Sequence, residues 1–294
     1  MSRLVWTLLC ASAAAALAFP ASAAAGAPAK RLYVSLGDSY ASGAQVTATG
    51  LRNTRNGFAY QVPRLARERG HRLKLVNFGC GGATTSSLIN RRGCPPRALG
   101  PGGRSYDRRT QLQAAVRFLR ARRDRVALVT VSIGGNDVTG CVEAADPVAC
   151  VTRTVVRIER NVTRIARRLR RAAGPRVRIV GTTYPNVLLG LWAGGTEEER
   201  NLASLSIVAF RSLINPALRE GYEAGRARFV DVTAASGAYI PFERTTTFLP
   251  YGTVPVAVAR ACELTYFCAY RDIHLRTEGY NLIARLVARE LPRV

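Results

Sequence analysis

Two kinds of apolar run alternate along the chain. Short, nearly continuous aliphatic stretches occupy 31–36, 72–78, 125–133, 176–183 and 226–232. The third reads Val-Ala-Leu-Val-Thr-Val-Ser-Ile from Val126 to Ile133, without the polar alternation of a half-solvated strand. Such runs predict strands buried on both faces. Between them lie segments with helical spacing, at 57–70, 108–123, 148–173, 196–222 and 277–291. Leu112, Val116 and Leu119 form one stripe; Val151, Val155, Ile158, Val162, Ile165 and Leu169 form a longer one. Strand–helix alternation predicts an α/β fold, a parallel sheet with helices on both faces. No linker interrupts it, so 24–294 reads as one domain. Two stretches, 184–196 and 238–270, are rich in aromatic and aliphatic residues and read as long irregular loops. Loops of that length are usually functional, which makes both candidate walls of a substrate pocket.

The amino terminus reads differently. Arg3 precedes an apolar run from Leu4 to Cys10, an alanine-rich stretch to Phe19, and Pro20-Ala21-Ser22-Ala23-Ala24. A basic start, an apolar run shorter than the roughly 18 residues of a membrane span and a small-x-small exit predict a secretory signal peptide over 1–23. The expected product is secreted and extracellular. Loss of Cys10 would leave Cys80, Cys94, Cys141, Cys150, Cys262 and Cys268, and export would place them where disulfides persist. They fall into three close pairs, each bracketing a short segment, so local pairing is expected. Zinc is disfavoured, because no Cys-x-x-Cys occurs and the chain has 2 histidines.

Charge narrows the partners. The chain carries 43 Lys+Arg against 19 Asp+Glu, a formal net charge of +24, and all the cations but Lys30 and Lys74 are arginine. Hydrophobic content of 48% excludes a disordered polycation. Arg167, Arg168, Arg170 and Arg171, like Arg120, Arg122 and Arg123, alternate with the apolar helix stripes and have no interleaved aromatics. They read as solvated helix faces, with no nucleic acid as partner; electrostatic contact with anionic surfaces is expected as a side property. A non-catalytic protein that binds anionic surfaces stays as the competing functional class.

Ligands of open α/β sheets bind at the carboxyl ends of strands. Those ends carry Gly37-Asp38-Ser39, the glycine-rich Gly79-Cys80-Gly81-Gly82, and Gly134-Gly135-Asn136-Asp137; Asp272-Ile273-His274 precedes the last helix. A serine, backbone donors, an amide and an imidazole are the parts of acyl transfer through a serine ester. Ser39 is the candidate nucleophile. His71 lies in a polar turn and reads as a solvated residue, which leaves His274 as base. The N–H groups of Ser39 and Gly82 and the Asn136 amide are candidate oxyanion donors. A classical α/β-hydrolase fits less well, because Gly37-x-Ser39-x-Ala41 lacks the second glycine of the nucleophile elbow.

These blocks, in this order, resemble the SGNH or GDSL hydrolases over essentially the whole chain after the signal. The cysteine placement and the Asp-Ile-His…Glu-Gly-Tyr ending resemble the secreted actinobacterial esterases and lipases. The resemblance implies a three-layer flavodoxin-like fold with a five-stranded parallel sheet in the order 2-1-3-4-5. It also implies ester hydrolysis without metal or cofactor, and singles out Gly82 over Gly79 and Gly81 as the oxyanion glycine. One departure stands out: the family's acid three residues before the histidine is Arg271 here. Asp272 could orient the imidazole from a shifted position, a backbone carbonyl near Arg271 could do so in a Ser–His dyad, or Asp272 could only cap the loop. The reading leans to the dyad and keeps Asp272 as a candidate. The expected protein is a monomeric esterase or lipase acting on lipid or other acyl esters, with a carbohydrate acetylesterase as the alternative.

Overall fold

The computed structural model describes residues 31–293. The expected signal peptide over 1–23 and Cys10 lie outside them. Five parallel strands, β1 (Arg31–Gly37), β2 (Leu73–Asn77), β3 (Val126–Ser132), β4 (Arg178–Thr182) and β5 (Arg228–Val230), form the central sheet in the order β2-β1-β3-β4-β5. This is the expected 2-1-3-4-5. Strand β1 is therefore flanked on both sides: Tyr33 pairs with Leu75 of β2 and with Leu128 of β3. Tyr33, Val34, Leu36, Leu128 and Val129 are fully buried, as near-continuous apolar strands require. Three buried polar side chains among them bond one another, with Tyr33 Oη 2.8 Å from Thr130 Oγ1, which in turn donates to Ser35 Oγ at 3.2 Å, whereas Ser132 Oγ and Thr182 Oγ1 have no partner among the described residues.

Helices α1 (Phe58–Arg67), α2 (Gln111–Ala121), α3 (Pro147–Ala173), α4 (Glu197–Ala209), α5 (Asn215–Glu223), α6 (Val256–Leu264) and α7 (Thr277–Arg289) complete the layers. α1 packs on α7, while α2 and α5 pack on α3, so two separate helical groups flank the sheet. Their starts follow local chemistry: Thr110 with Gln113 and Thr196 with Glu199 form capping boxes, and Asp146 caps α3 ahead of Pro147. The predicted stripe on α3, Val151 through Leu169, is buried. The helix predicted over 196–222 is α4 and α5 joined by a wide π turn, Phe210–Ile214, just ahead of Pro216, which has no N–H to give the helix ladder.

Three expectations need correction. The stretch 238–270 is not an irregular loop. It contains a hairpin (Thr245–Thr247 with Thr253–Pro255) and α6, and its Val254, Val258, Ala259 and Cys262 form a small satellite core with Ala193 and Trp192. The hairpin strands are too short and too threonine-rich to show as apolar runs. His71 is not simply solvated; its Nε2 lies 2.7 Å from the Pro292 carbonyl, at the amino end of β2. The arginines that end α3 are also more than a solvated face. Arg170 Nη1 donates to the carbonyls of Gly174 (2.9 Å) and Val177 (2.7 Å), and its Nη2 to that of Arg226 (2.8 Å). Partial burial lowers its pKa. Arg123 donates to the carbonyls of Ala172 and Arg171, which α3 leaves without helical partners.

The cysteines pair locally, Cys80–Cys94, Cys141–Cys150 and Cys262–Cys268. A bridge closing about 15 residues is worth around 3 kcal/mol in the chain-entropy model. Among the described residues no helix is long and apolar enough to cross a membrane.

Because Arg170 satisfies carbonyls from two chain segments, 174–177 and 225–226, Arg170→Met should lower the unfolding free energy by about 2 kcal/mol, or roughly 4–8 °C in Tm. Arg164→Met, on the exposed side of the same helix, should change it by less than about 0.5 kcal/mol. Urea and thermal unfolding of the two variants distinguish a structural arginine from a solvated one.

Candidate active site

The site begins where β1 runs out. Gly37 has φ +137°, and a Cβ there would lie 2.0 Å from the Ser132 carbonyl of β3, so no side chain fits. The Gln111 side chain brackets the same peptide, accepting from Gly37 N at 2.7 Å and donating to Gly37 O at 3.0 Å. Asp38 then caps a single helical turn, Ser39–Ser42, by accepting from Tyr40 N at 2.9 Å. Ser39 is thereby the first residue of the turn, where its N–H has no helical acceptor.

Asp38 is buried, and its other oxygen accepts from the hydroxyl of Tyr184, whose ring packs against Gly135, where a Cβ would lie 3.1 Å away. Burial raises the Asp38 carboxyl to about 6, against the opposing pull of these hydrogen bonds. Tyr40 and Tyr184 meet edge to face at 5.0 Å. A phenol–carboxylate bond and a glycine packed on the phenol ring thus join the serine turn to the Gly-Gly-Asn-Asp turn.

The glycines after β2 do three different things. Gly79 packs against the serine turn, where a Cβ would come within 2.8 Å of Ser42 N. Gly81 N–H is used, donating to the Ala98 carbonyl at 2.8 Å. Gly82 has φ +75°, is exposed, and its N–H donates to no acceptor among the described residues. Opposite it, Asn136 Nδ2 spends one hydrogen on the Ala83 carbonyl at 2.9 Å, which leaves the other for a ligand.

Asp137 was not singled out from sequence, yet it clamps the two loops together. Its oxygens accept from Thr85 N (2.8 Å) and Thr85 Oγ1 (2.6 Å), and Asn161 Nδ2 of α3 donates to the same hydroxyl at 2.9 Å. Burial raises the Asp137 pKa. Its position as the last residue of the Gly-Gly-Asn-Asp block was the available signal.

His274 Nδ1 lies 2.8 Å from Asp272 Oδ1, and His274 N–H donates to that same oxygen at 2.8 Å. Burial pushes the Asp272 carboxyl up, but the bonds from His274 outweigh it and leave the pKa below 3.8. The imidazole is therefore held by Asp272 and not by a backbone carbonyl near Arg271, which differs from the dyad favoured by the sequence. Arg271 adopts a left-handed φ of +53° and pairs instead with Glu199 of α4 at 3.0 Å. The loop is further pinned by Tyr40 Oη donating to the Ile273 carbonyl (2.7 Å) and by Tyr266 N–H donating to the His274 carbonyl (3.0 Å).

Ser39, Gly82, Asn136 and His274 line one cleft of about 740 Å³. No hydrogen bond joins Ser39 Oγ to the imidazole directly; such contacts commonly tighten only around bound substrate. A second, apolar channel of about 180 Å³ adjoins the cleft, and Asn136 and Ile273 line both. Its walls include Tyr184, Val187 and Leu188, Leu202 and Leu205 of α4, and Phe210 and Ile214 of the π turn. The stretch 184–196 thus contributes to a pocket as expected. The stretch 238–270 lines neither space. Among the described residues no group of three or more His, Cys, Asp or Glu could hold a metal ion.

The raised Asp38 pKa sets a pH dependence. The folded state holds this proton up to about 6, whereas the unfolded chain releases it near 3.8. The stability contributed is therefore full below about pH 4 and is lost as pH rises to 6, to an extent of about 3 kcal/mol. Asp38→Asn should flatten the fall in unfolding free energy between pH 4 and 7 by that amount. Urea titrations at successive pH values would show it, and an unchanged slope would refute the assignment.

Comparison with known proteins gives the family. A model of the GDSL-like lipase/acylhydrolase family matches residues 35–282. A sequence comparison with curated proteins returns no match. Among solved structures, a lipase from a goat rumen metagenome is 13% identical and superposes with a TM-score of 0.53 over 90% of this chain and 99% of that one. A variant of an acetyl xylan esterase from Geobacillus stearothermophilus is 17% identical, with a TM-score of 0.44 over 90% and 95% of the two chains. A carbohydrate acetylesterase from Sinorhizobium meliloti is 12% identical, with a TM-score of 0.45 over 88% and 97%. At these identities the first likeness shows the fold alone; the function-bearing evidence is the family match over the four blocks of the cleft, and by it the chain belongs to the GDSL-like lipase/acylhydrolase family.

Proposed function

We propose that this protein is an exported carboxylic ester hydrolase, acting on esters of aliphatic acids such as lipids, by way of a Ser39 acyl-enzyme. Ser39 Oγ attacks the ester carbonyl while His274 takes its proton. The N–H groups of Ser39 and Gly82 and the Asn136 amide receive the oxyanion, each donor being worth roughly 100- to 1000-fold in rate. His274 then protonates the leaving alcohol, and water, activated by the same imidazole, releases the acid. Asp272 orients the imidazole and stabilises its charged form.

The observation that carries the substrate reading is the apolar channel opening beside Asn136 and Ile273. An acetyl group needs no such space, whereas an alkyl chain removed from water there gains about 0.8 kcal/mol per methylene. Three local disulfides and the amino-terminal pattern support export, and the same cysteines with the Asp-Ile-His ending support the secreted actinobacterial branch. The arginine excess supports attraction to anionic surfaces as an accompanying property.

Turnover of p-nitrophenyl esters should disappear in Ser39→Ala, and retained turnover would sink the mechanism. Asp272→Asn should lower kcat by about 10⁴ if Asp272 acts as an orienting acid, and only slightly in a dyad. The kcat/KM profile should rise from acetyl to octanoyl esters, and Leu202→Trp, which narrows the channel, should move its maximum toward acetyl. A wild-type maximum at acetyl would favour the carbohydrate acetylesterase.

A further inference from the structure

With the acyl chain in the apolar channel, the alcohol half of an ester falls to the wider cleft that Ser39 itself lines. Two pieces of chain wall that cleft: a hairpin, Ala44–Thr47 with Gly50–Asn53, and the turn Pro96–Ala98. Each contributes an arginine to the lining, Arg52 and Arg97. Neither is ion-paired among the described residues. The Arg52 side chain bonds only the neighbouring Leu51 carbonyl, at 3.1 Å, and the Arg97 side chain makes no hydrogen bond. No carboxylate lines the cleft, and from Ser39 to Tyr106 the only acid is Glu68, which pairs with Arg64 on the exposed side of α1.

The two arginines are also built into one frame. Asn53 Nδ2 donates to the carbonyls of Arg97 (3.1 Å) and Leu99 (3.0 Å), which ties the hairpin to the turn. Gly81 N–H donates to the Ala98 carbonyl, and the Cys80–Cys94 bridge closes the same loop from behind. Both guanidiniums are therefore carried on backbone fixed beside Gly82. Two exposed like charges lining one cleft with no lining acid favour an anion there, and the guanidinium fork matches phosphate oxygens.

We propose that this half of the cleft binds a phosphate on the leaving alcohol, so that the preferred substrates are glycerophospholipids. The inference rests on the Ser39 ester-hydrolase reading. The acyl chain occupies the channel, the ester carbonyl faces Gly82 and Asn136, and the phosphate-bearing alcohol lies toward Arg52 and Arg97. The acyl C–O bond breaks as the Ser39 ester forms, the lysophospholipid leaves with the proton carried by His274, and water then releases the fatty acid.

Monomeric dihexanoylphosphatidylglycerol and dihexanoylglycerol share the acyl chains and differ in the phosphate. The wild-type kcat/KM should favour the phospholipid by about tenfold or more, and the double variant Arg52→Gln/Arg97→Gln should reduce that ratio by about tenfold. Arg64→Gln, outside the cleft, should leave the ratio unchanged. Equal wild-type rates on the two esters, or an unchanged ratio in the double variant, would overturn the proposal. Glycerol 3-phosphate titrated into the Ser39→Ala protein gives a second readout that does not need turnover. It should bind, about tenfold more weakly once both arginines are replaced and more weakly in salt. Inorganic phosphate binding as tightly would overturn the headgroup assignment in favour of a free-anion site. Failure of Ser39→Ala to abolish p-nitrophenyl ester turnover would instead overturn the catalytic reading, and the titration would still decide the anion site.

Discussion

The close approach of β1 to β3 at Gly37 governs the rest of the site. The Ser132 carbonyl stands where a Cβ would be, so the chain can pass only as glycine and turns immediately into Asp38 and Ser39. Because β1 sits between β2 and β3, that turn emerges in the crevice where the glycine-rich loop and the Gly-Gly-Asn-Asp loop also end. A side chain at position 37 would push the two strands apart and carry the serine away from both.

What the backbone crossing positions, buried polar bonds hold. Asp38 with Tyr184, and Asp137 with Thr85 and Asn161, link loops that are remote in sequence. Both carboxylates are raised in pKa by burial, so they are held at an energetic cost that an unpaired group would not survive. Asp272 is the contrasting case: it is more exposed, accepts two bonds from His274, and stays ionised. One environment makes a carboxyl that fastens loops, and the other makes one suited to stand behind an imidazole. Polarity divides the two neighbouring spaces in the same way: the cleft that Ser39 lines is acid-free and arginine-bearing, and the channel that shares Asn136 and Ile273 with it is apolar.

The strands and the four motif blocks were legible in the sequence because both are local signals. A buried strand announces itself in consecutive residues, and a nucleophile turn needs its glycine next to its serine. The hairpin and α6 within 238–270 were not legible: three-residue strands carry no periodicity, and α6 is apolar nearly all round. The role of Asp272 was open for a related reason. Spacing alone offered an acid two residues before His274 and an arginine three before, and could not say which way either pointed. The left-handed turn at Arg271 sends that side chain to Glu199, and the Asp272 carboxylate lies against the imidazole instead.

By itself, then, the amino-acid order determined the α/β alternation, the local pairing of the cysteines and the residues that could do chemistry, since each depends on neighbours along the chain. Tertiary structure alone decided which glycine keeps a free N–H, that Asp137 is a clamp, that α3 ends on arginines spent on backbone carbonyls, and that α4 and the π turn wall a channel. Those outcomes depend on hydrogen bonds and packing between segments tens of residues apart, which no periodicity encodes.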